Sequence, residues 1–190
     1  MRIVAGEWRG RRIHFPDVAQ LRPTPDRLRE TLFNWLQSHV GGARCLDLYA
    51  GSGALGLEAL SRGASAALFV ERDARIAAAL RATLAAFGDA RGRVVEHDAA
   101  AFLSGPPERF DIVFVDPPYA QGGLGELCTL LESRGWLAAD AWIYLELAAH
   151  AARPPLPEGW VAWREARAGE ALGLLARRRA ARAAAAVDGT

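Results

Sequence analysis

The chain predicts an α/β fold built on a mostly parallel sheet, and three observations carry that reading. From residue 44 onward, short apolar runs alternate with segments of helical periodicity, the pattern of βαβ units. A glycine-rich turn, Gly51-Ser52-Gly53-Ala54-Leu55-Gly56, joins one of these runs to a helix-like segment. Two strand-like segments near the end, 160–165 and 171–176, follow each other without a helix, which predicts an antiparallel pair at one edge.

Taken in order, residues 1–23 hold two short β-like pieces, 2–4 and 11–15, separated by glycines, and read as an arm or small hairpin. Thr24 suits a helix N-cap with Pro25 in the first helical position. Leu28, Leu32, Trp35 and Leu36 then mark one apolar helix face running to about Ser38, and Gly41-Gly42 stops it. Strands are expected at 45–50, 66–70, 93–97, 111–115 and 142–146, and helices at 54–61, 74–87, 99–103 and 123–134. The domain proper is thus 24–179. The alanine-rich end, 180–190, has no pattern to bury and is expected to fray.

At 190 residues, 51% hydrophobic and 24% charged, the composition is that of one globular domain with a core of its own. No apolar stretch is long enough to span a membrane. The first residues lack the apolar centre of a signal peptide. Cys45 and Cys128 are far apart and read as buried small residues in a reducing compartment. His14, His39, His97 and His150 have no metal-ligand spacing, so no metal is expected. The net charge is +1, and all 23 basic residues are arginine. They cluster: Arg2, Arg9, Arg11, Arg12, Arg22, Arg27 and Arg29 stand near the start, and Arg177, Arg178, Arg179 and Arg182 near the end. Basic clusters favour a polyanion, although a solvated surface explains them too. Trp8 lies between charged residues, where it either stacks on a base or fills the hairpin.

Two motifs carry chemistry. Asp116-Pro117-Pro118-Tyr119 follows the strand-like Ile112-Val113-Phe114-Val115, at the strand end where open α/β sheets bind ligands. A carboxylate and a proline-held carbonyl accept from an amino group, and a tyrosine offers a flat stacking face. This suits a planar ring with an exocyclic amine, a nucleobase, without choosing adenine or guanine. In the glycine turn, Gly51 and Gly53 allow close backbone approach, and Glu71, 20 residues beyond Gly51, is placed for the ribose hydroxyls of an adenosine cofactor. The spacing also fits a dinucleotide fingerprint. Asp47, placed for an ammonium group, and Asp98, placed for an adenine amine, are better explained by S-adenosylmethionine than by NAD. Ala50, Arg72 and Ala99 complete the candidate cofactor contacts.

With the glycine turn, Glu71, Asp98 and the tetrapeptide in this order, the chain resembles the class I S-adenosylmethionine-dependent methyltransferases that act on amino nitrogens. Nearly its whole length is similar to the RsmD family of bacterial 16S rRNA guanine-N2 methyltransferases. That similarity rests on Arg2-Ile3-Val4-Ala5-Gly6-Glu7-Trp8-Arg9-Gly10-Arg11, Arg22-Pro23-Thr24, Thr31-Leu32-Phe33-Asn34-Trp35-Leu36, residues 50–64, residues 114–119 and Trp142-Ile143-Tyr144-Leu145-Glu146. It departs at Thr83-Leu84, where many relatives have Asn-Leu, and in its arginine- and alanine-rich end.

The resemblance implies a doubly wound, Rossmann-like sheet of seven strands, with S-adenosyl-L-homocysteine as product. It also implies a cytoplasmic, monomeric enzyme acting on a flipped guanine of a partly assembled small ribosomal subunit. Asp116, Pro117 and Tyr119 are then the catalytic set. Arg2, Trp8, Arg9, Arg11, Arg12, Arg22 and Pro118 are the substrate contacts, with residues 1–23 as an RNA-contacting arm. Two rival expectations are an adenine-N6 nucleic-acid methyltransferase and a non-catalytic RNA-binding assembly factor on the same fold.

Overall fold

The structure, a computed structural model, describes residues 1–14, 24–118 and 123–179. A seven-stranded sheet forms its middle layer: β1 (Arg44–Asp47), β2 (Ala66–Glu71), β3 (Gly92–Glu96), β4 (Phe110–Val115), β5 (Leu137–Ala148), β6 (Trp160–Ala168) and β7 (Ala171–Arg178). Its spatial order is β3-β2-β1-β4-β5-β7-β6. The first five strands of that order are parallel, whereas β7 runs antiparallel between β5 and β6. The doubly wound, mostly parallel sheet with an antiparallel end is therefore present as expected. The sequence order reverses between β1 and β4, a switch point of the kind that opens a ligand crevice beyond the carboxyl ends of the strands.

Alternation along each strand sends side chains to opposite faces, and both faces are covered. Helices α1 (Asp26–Trp35), α2 (Ala54–Ser61) and α3 (Ala74–Phe87) share one core cluster with Cys45, Phe69, Phe114 and Tyr144. Helices α4 (Ala99–Leu103) and α5 (Leu124–Ser133) pack with Leu46, Leu68, Val113, Val115 and Leu145 on the other side. The central strands are buried on both faces, which is why they read as continuous apolar runs. Each large apolar side chain taken out of water in this way contributes about 1.5–3 kcal/mol. Both cysteines are buried free thiols. Burial pushes their proton affinity up, so neither is a ready nucleophile.

The glycine turn shows why its spacing matters. Gly53 takes φ +76° at the start of α2, and a Cβ there would come within 2.5 Å of Leu80. A Cβ on Gly56 would come within 2.2 Å of the Phe69 ring, so this glycine lets α2 press onto β2.

Helix boundaries at 54–61, 74–87 and 99–103 agree with the sequence reading. β1 ends three residues before the expected 50, because Leu48 and Ala50 donate to opposite neighbours, Phe114 and Val70, as the chain leaves the sheet. β5 is longer than expected, since β7 pairs with it through Ala148 and Leu137 pairs with Phe110. The helix start is a correction. Pro25 is the N-cap of α1 and makes no side-chain cap, whereas the Thr24 hydroxyl turns to Asp116. Its expected end at about Ser38 shortens to Trp35.

The arm is stapled to α2. The carboxylate of Glu58, itself fully buried, accepts from the amides of Val4 (2.8 Å) and Ala5 (3.0 Å) and from Arg62 Nε (2.8 Å). Ser61 Oγ donates to the Ala5 carbonyl at 2.6 Å and accepts from the Trp8 amide at 2.9 Å. An isolated antiparallel bridge, Arg2 with Arg12, closes the hairpin. The expected second β piece extends to 15, beyond the described residues.

Candidate active site

Four acidic residues stand at the carboxyl edge of the parallel strands, and the ladder puts them there. Asp47 ends β1, Glu71 ends β2, Asp98 follows β3 and Asp116 follows β4. Glu71 holds the glycine turn: its carboxylate accepts from the Gly51 amide (2.9 Å) and from the Asp73 amide (2.8 Å). Each oxygen keeps a further lone pair, so the group remains able to accept hydroxyls. Asp98 caps α4 by accepting from Ala100 and Ala101, both at 3.0 Å, and stays exposed. Ala99 is buried behind it, Ala50 is buried beside the turn, and Arg72 is exposed next to Glu71.

Asp47 is the most telling member. It is buried, and one oxygen accepts from the Gly56 amide at 3.0 Å. Among the described residues its other oxygen has no hydrogen-bond partner. A buried polar atom without a partner costs about 1–3 kcal/mol. Burial, with Glu71 adding to it and the Gly56 amide opposing it, lifts this carboxyl to about 7. A cationic or N–H-bearing ligand relieves that cost. The sharp turn that Gly51 and Gly53 make with positive φ, the paired oxygens of Glu71 and the oxygen of Asp47 without a partner among the described residues together fit an adenosine cofactor bearing an ammonium group.

Asp116 is half-buried, Pro117 is buried and Pro118 is exposed. The Thr24 hydroxyl donates to Asp116 Oδ2 at 3.3 Å, so the residue leading into α1 helps to orient the carboxylate. Burial raises the proton affinity of Asp116 well above the carboxylate range, and Glu146 and Asp47 add to the rise. Tyr119 and Arg22 lie outside the described residues.

The structure sorts the expected arginines. Arg2, Arg9, Arg11 and Arg12 are exposed on the arm, with Arg11 over the Phe87 ring at 4.9 Å. Arg29 leaves the cluster: it is fully buried and donates to the Arg2 carbonyl (2.8 Å) and to Asp26 (2.9 Å). Arg178 is bound to Glu132 and Arg177 to Asp140. Trp8 resolves to packing. It is 3% exposed, its ring centroid lies 4.9 Å from that of Phe87, and its face is not open to a base.

Sequence reasoning did not place Thr24, Tyr49 or Glu146 beside the candidate site. Tyr49 is half-buried, and burial, with Asp98 adding to it and Arg72 opposing it, raises the proton affinity of its hydroxyl. Glu146 ends a sequence segment already singled out, and only the β4–β5 register brings it to Asp116. Among the described residues, no group of three His, Cys, Asp or Glu is placed to hold a metal ion, and no helix is long and apolar enough to cross a membrane.

Comparison with known proteins decides the family. Residues 1–176 match the family model described as Conserved hypothetical protein 95. The chain belongs to the RsmD family of methyltransferases. It is 48% identical over 170 residues to Ribosomal RNA small subunit methyltransferase D of Escherichia coli strain K12, an alignment covering 90% of this chain and 86% of that one. The protein of the same name from Haemophilus influenzae is 39% identical, with 87% of each chain covered. The solved structure of Escherichia coli yhhF superposes with a TM-score of 0.88 at 44% identity, covering 95% of this RsmD-family chain and 99% of that protein.

Proposed function

We propose that this chain methylates the exocyclic N2 of a guanine in 16S rRNA of the small ribosomal subunit, using S-adenosyl-L-methionine and leaving S-adenosyl-L-homocysteine. The observation that carries the reading is Asp116–Pro117 at the end of β4, on the same sheet edge as the Gly51–Gly53 turn, Glu71 and the unpaired oxygen of Asp47. The relatives named as ribosomal RNA methyltransferases supply the polymer class.

In this reading Gly51, Gly53 and Ala50 line the cofactor's approach, Glu71 accepts from its ribose and Asp47 from its ammonium group. The bound cofactor supplies an electrophilic methyl group on a sulfonium. The chain's own residues act on the nucleophile. Guanine N2 is weak because its lone pair is delocalised into the ring. Asp116 accepts one N–H and the Pro117 carbonyl the other, which turns the lone pair toward the methyl carbon and stabilises the positive charge that develops. The raised proton affinity of Asp116 suits it to take the proton released after transfer. Tyr119 stacks on the base, which has to be flipped out or single-stranded to enter. Exposed Arg2, Arg9, Arg11 and Arg12 contact phosphates and position the RNA without reading it. The chain acts as a monomer on a partly assembled subunit.

The test incubates the protein and methyl-labelled S-adenosylmethionine with small subunits lacking the modification, followed by nucleoside analysis. Label in N2-methylguanine of 16S rRNA is expected. Label in N6-methyladenine would overturn the base assignment, and no transfer to any RNA would favour a non-catalytic factor.

A further inference from the structure

We propose that Glu146 selects guanine over adenine: its carboxylate accepts the N1–H of the base while Asp116 holds the adjacent amino group. The inference rests on the proposed methylation of guanine N2.

The placement follows from register. Val115 pairs with Leu145 across the parallel strands β4 and β5, so Asp116 and Glu146 are the next residues along neighbouring strands. Adjacent strands lie about 4.8 Å apart. Side-chain alternation sends Asp116 to the face of Phe114 and Glu146 to the face of Tyr144, and these two belong to the same core cluster. Glu146 is 3% exposed, deeper than half-buried Asp116. Its orientation is built. The Tyr144 hydroxyl donates to Glu146 Oε2 at 2.9 Å, and the β7 residue paired with Glu146 is Gly173. A Cβ on Gly173 would come within 2.7 Å of the Tyr144 ring and hydroxyl, so the missing side chain gives the tyrosine room to reach the carboxylate. Asp47, whose buried oxygen has no partner, is electrostatically felt at Asp116 as well. Three carboxylates thus converge on one end of β1, β4 and β5, a place rich in acceptors.

The base that fits is the one richest in donors on that edge. Guanine presents N1–H beside its amino group, two neighbouring donor positions for two neighbouring acceptors. Adenine also carries an amino group, but its N1 is a lone pair, and in this proposal Glu146 is the ionised member of the cluster, which only accepts. Adenine would therefore bring an acceptor against an acceptor in a poorly solvated site, which is heavily penalised. The Asp-Pro-Pro-Tyr segment does not separate the two bases, whereas a second carboxylate at N1 does.

The experiment uses reconstituted small subunits carrying either guanine or 2-aminopurine at the modified position, which the labelling assay locates. 2-Aminopurine keeps the amino group and lacks N1–H. With the native enzyme, kcat/KM is expected to fall by about 100-fold on 2-aminopurine, the loss of one charge-assisted hydrogen bond. In Glu146→Gln, guanine methylation is expected to fall about 10- to 100-fold, and the two substrates should come within about threefold of each other. Cofactor affinity, read by calorimetry, should be unchanged. Tyr144→Phe, a gentler change at the orienting hydroxyl, should give an intermediate ratio. If the native enzyme methylates both substrates equally, or if Glu146→Gln keeps the native ratio, the role of Glu146 is overturned while guanine methylation stands. If the native enzyme leaves guanine unmethylated, the functional reading falls, and this inference with it.

Discussion

Helix α2 has a buried carboxylate at each end, and the two are satisfied very differently. In its last turn, Glu58 accepts from three N–H donors, two from the arm and one from Arg62. At its start, Asp47 accepts from one amide and leaves its second oxygen bare. Both are removed from water to nearly the same degree. The first is a structural clasp, in which donors replace the water that was lost. The second keeps an unmet acceptor among the described residues, the kind of group that the proposed cofactor contact would use. Asp116 belongs with the second kind. Among the described residues its side-chain donor is the Thr24 hydroxyl at 3.3 Å, and two carboxylates act on it from nearby.

The sharpest break of this contrast is Asp116→Ala. Methyl transfer should fall by at least about 1000-fold in kcat, since an acceptor aimed at developing charge is removed. Cofactor affinity should change little, and the fold should persist. Measuring single-turnover transfer beside calorimetric cofactor binding checks this, and full activity would refute the role of Asp116. Glu58→Ala should do the reverse. Removing the clasp leaves two arm amides and Arg62 short of an acceptor, at a cost of about 3 kcal/mol in denaturant unfolding. Cofactor affinity per folded molecule should be kept. Equal stability of the two proteins would erase the distinction between the carboxylates.

Asp47 supplies a pH test of the same contrast. Its folded carboxyl is raised from 3.8 to about 7. Between those values the folded state holds a proton that the unfolded chain has released, so this group's contribution to stability falls as pH rises from about 4 to about 7. A cationic ligand favours the ionised form, so cofactor affinity should strengthen as pH rises through 7. Asp47→Asn should flatten both trends, as read by urea titrations and calorimetry at pH 5, 6, 7 and 8. The smallest effect concerns the arm's outer surface. Replacing Arg9, Arg11 and Arg12 with alanine should weaken RNA binding and reduce the salt slope by about 0.7–0.9 for each phosphate that an arginine no longer neutralises. An unchanged slope would leave these arginines as a solvated face.

Much of the site was legible because the chemistry is written contiguously. The glycine turn, Glu71 and Asp116–Pro117 each sit at a strand end that the hydrophobic pattern locates within a few residues. What escaped was chemistry made by pairing distant segments. Thr24 looked like a helix cap because threonine before Pro25 suits one, yet its hydroxyl reaches 92 residues along the chain to Asp116. Trp8 and Arg29 looked available to RNA because their neighbours are charged, yet docking the arm on α2 and α1 buries both. Arg178 likewise looked like part of a basic patch until Glu132 of α5 came beside it.

The sequence by itself determined the layered α/β architecture, the strand ends that carry acids, and the glycine turn that opens α2. Periodicity and backbone-permissive residues act locally, so they can be read along the chain. The tertiary structure alone decided which buried acids are satisfied and which are not, and that Glu146 stands beside Asp116. Those facts depend on sheet register and on donors brought in from distant segments, and no local pattern encodes either.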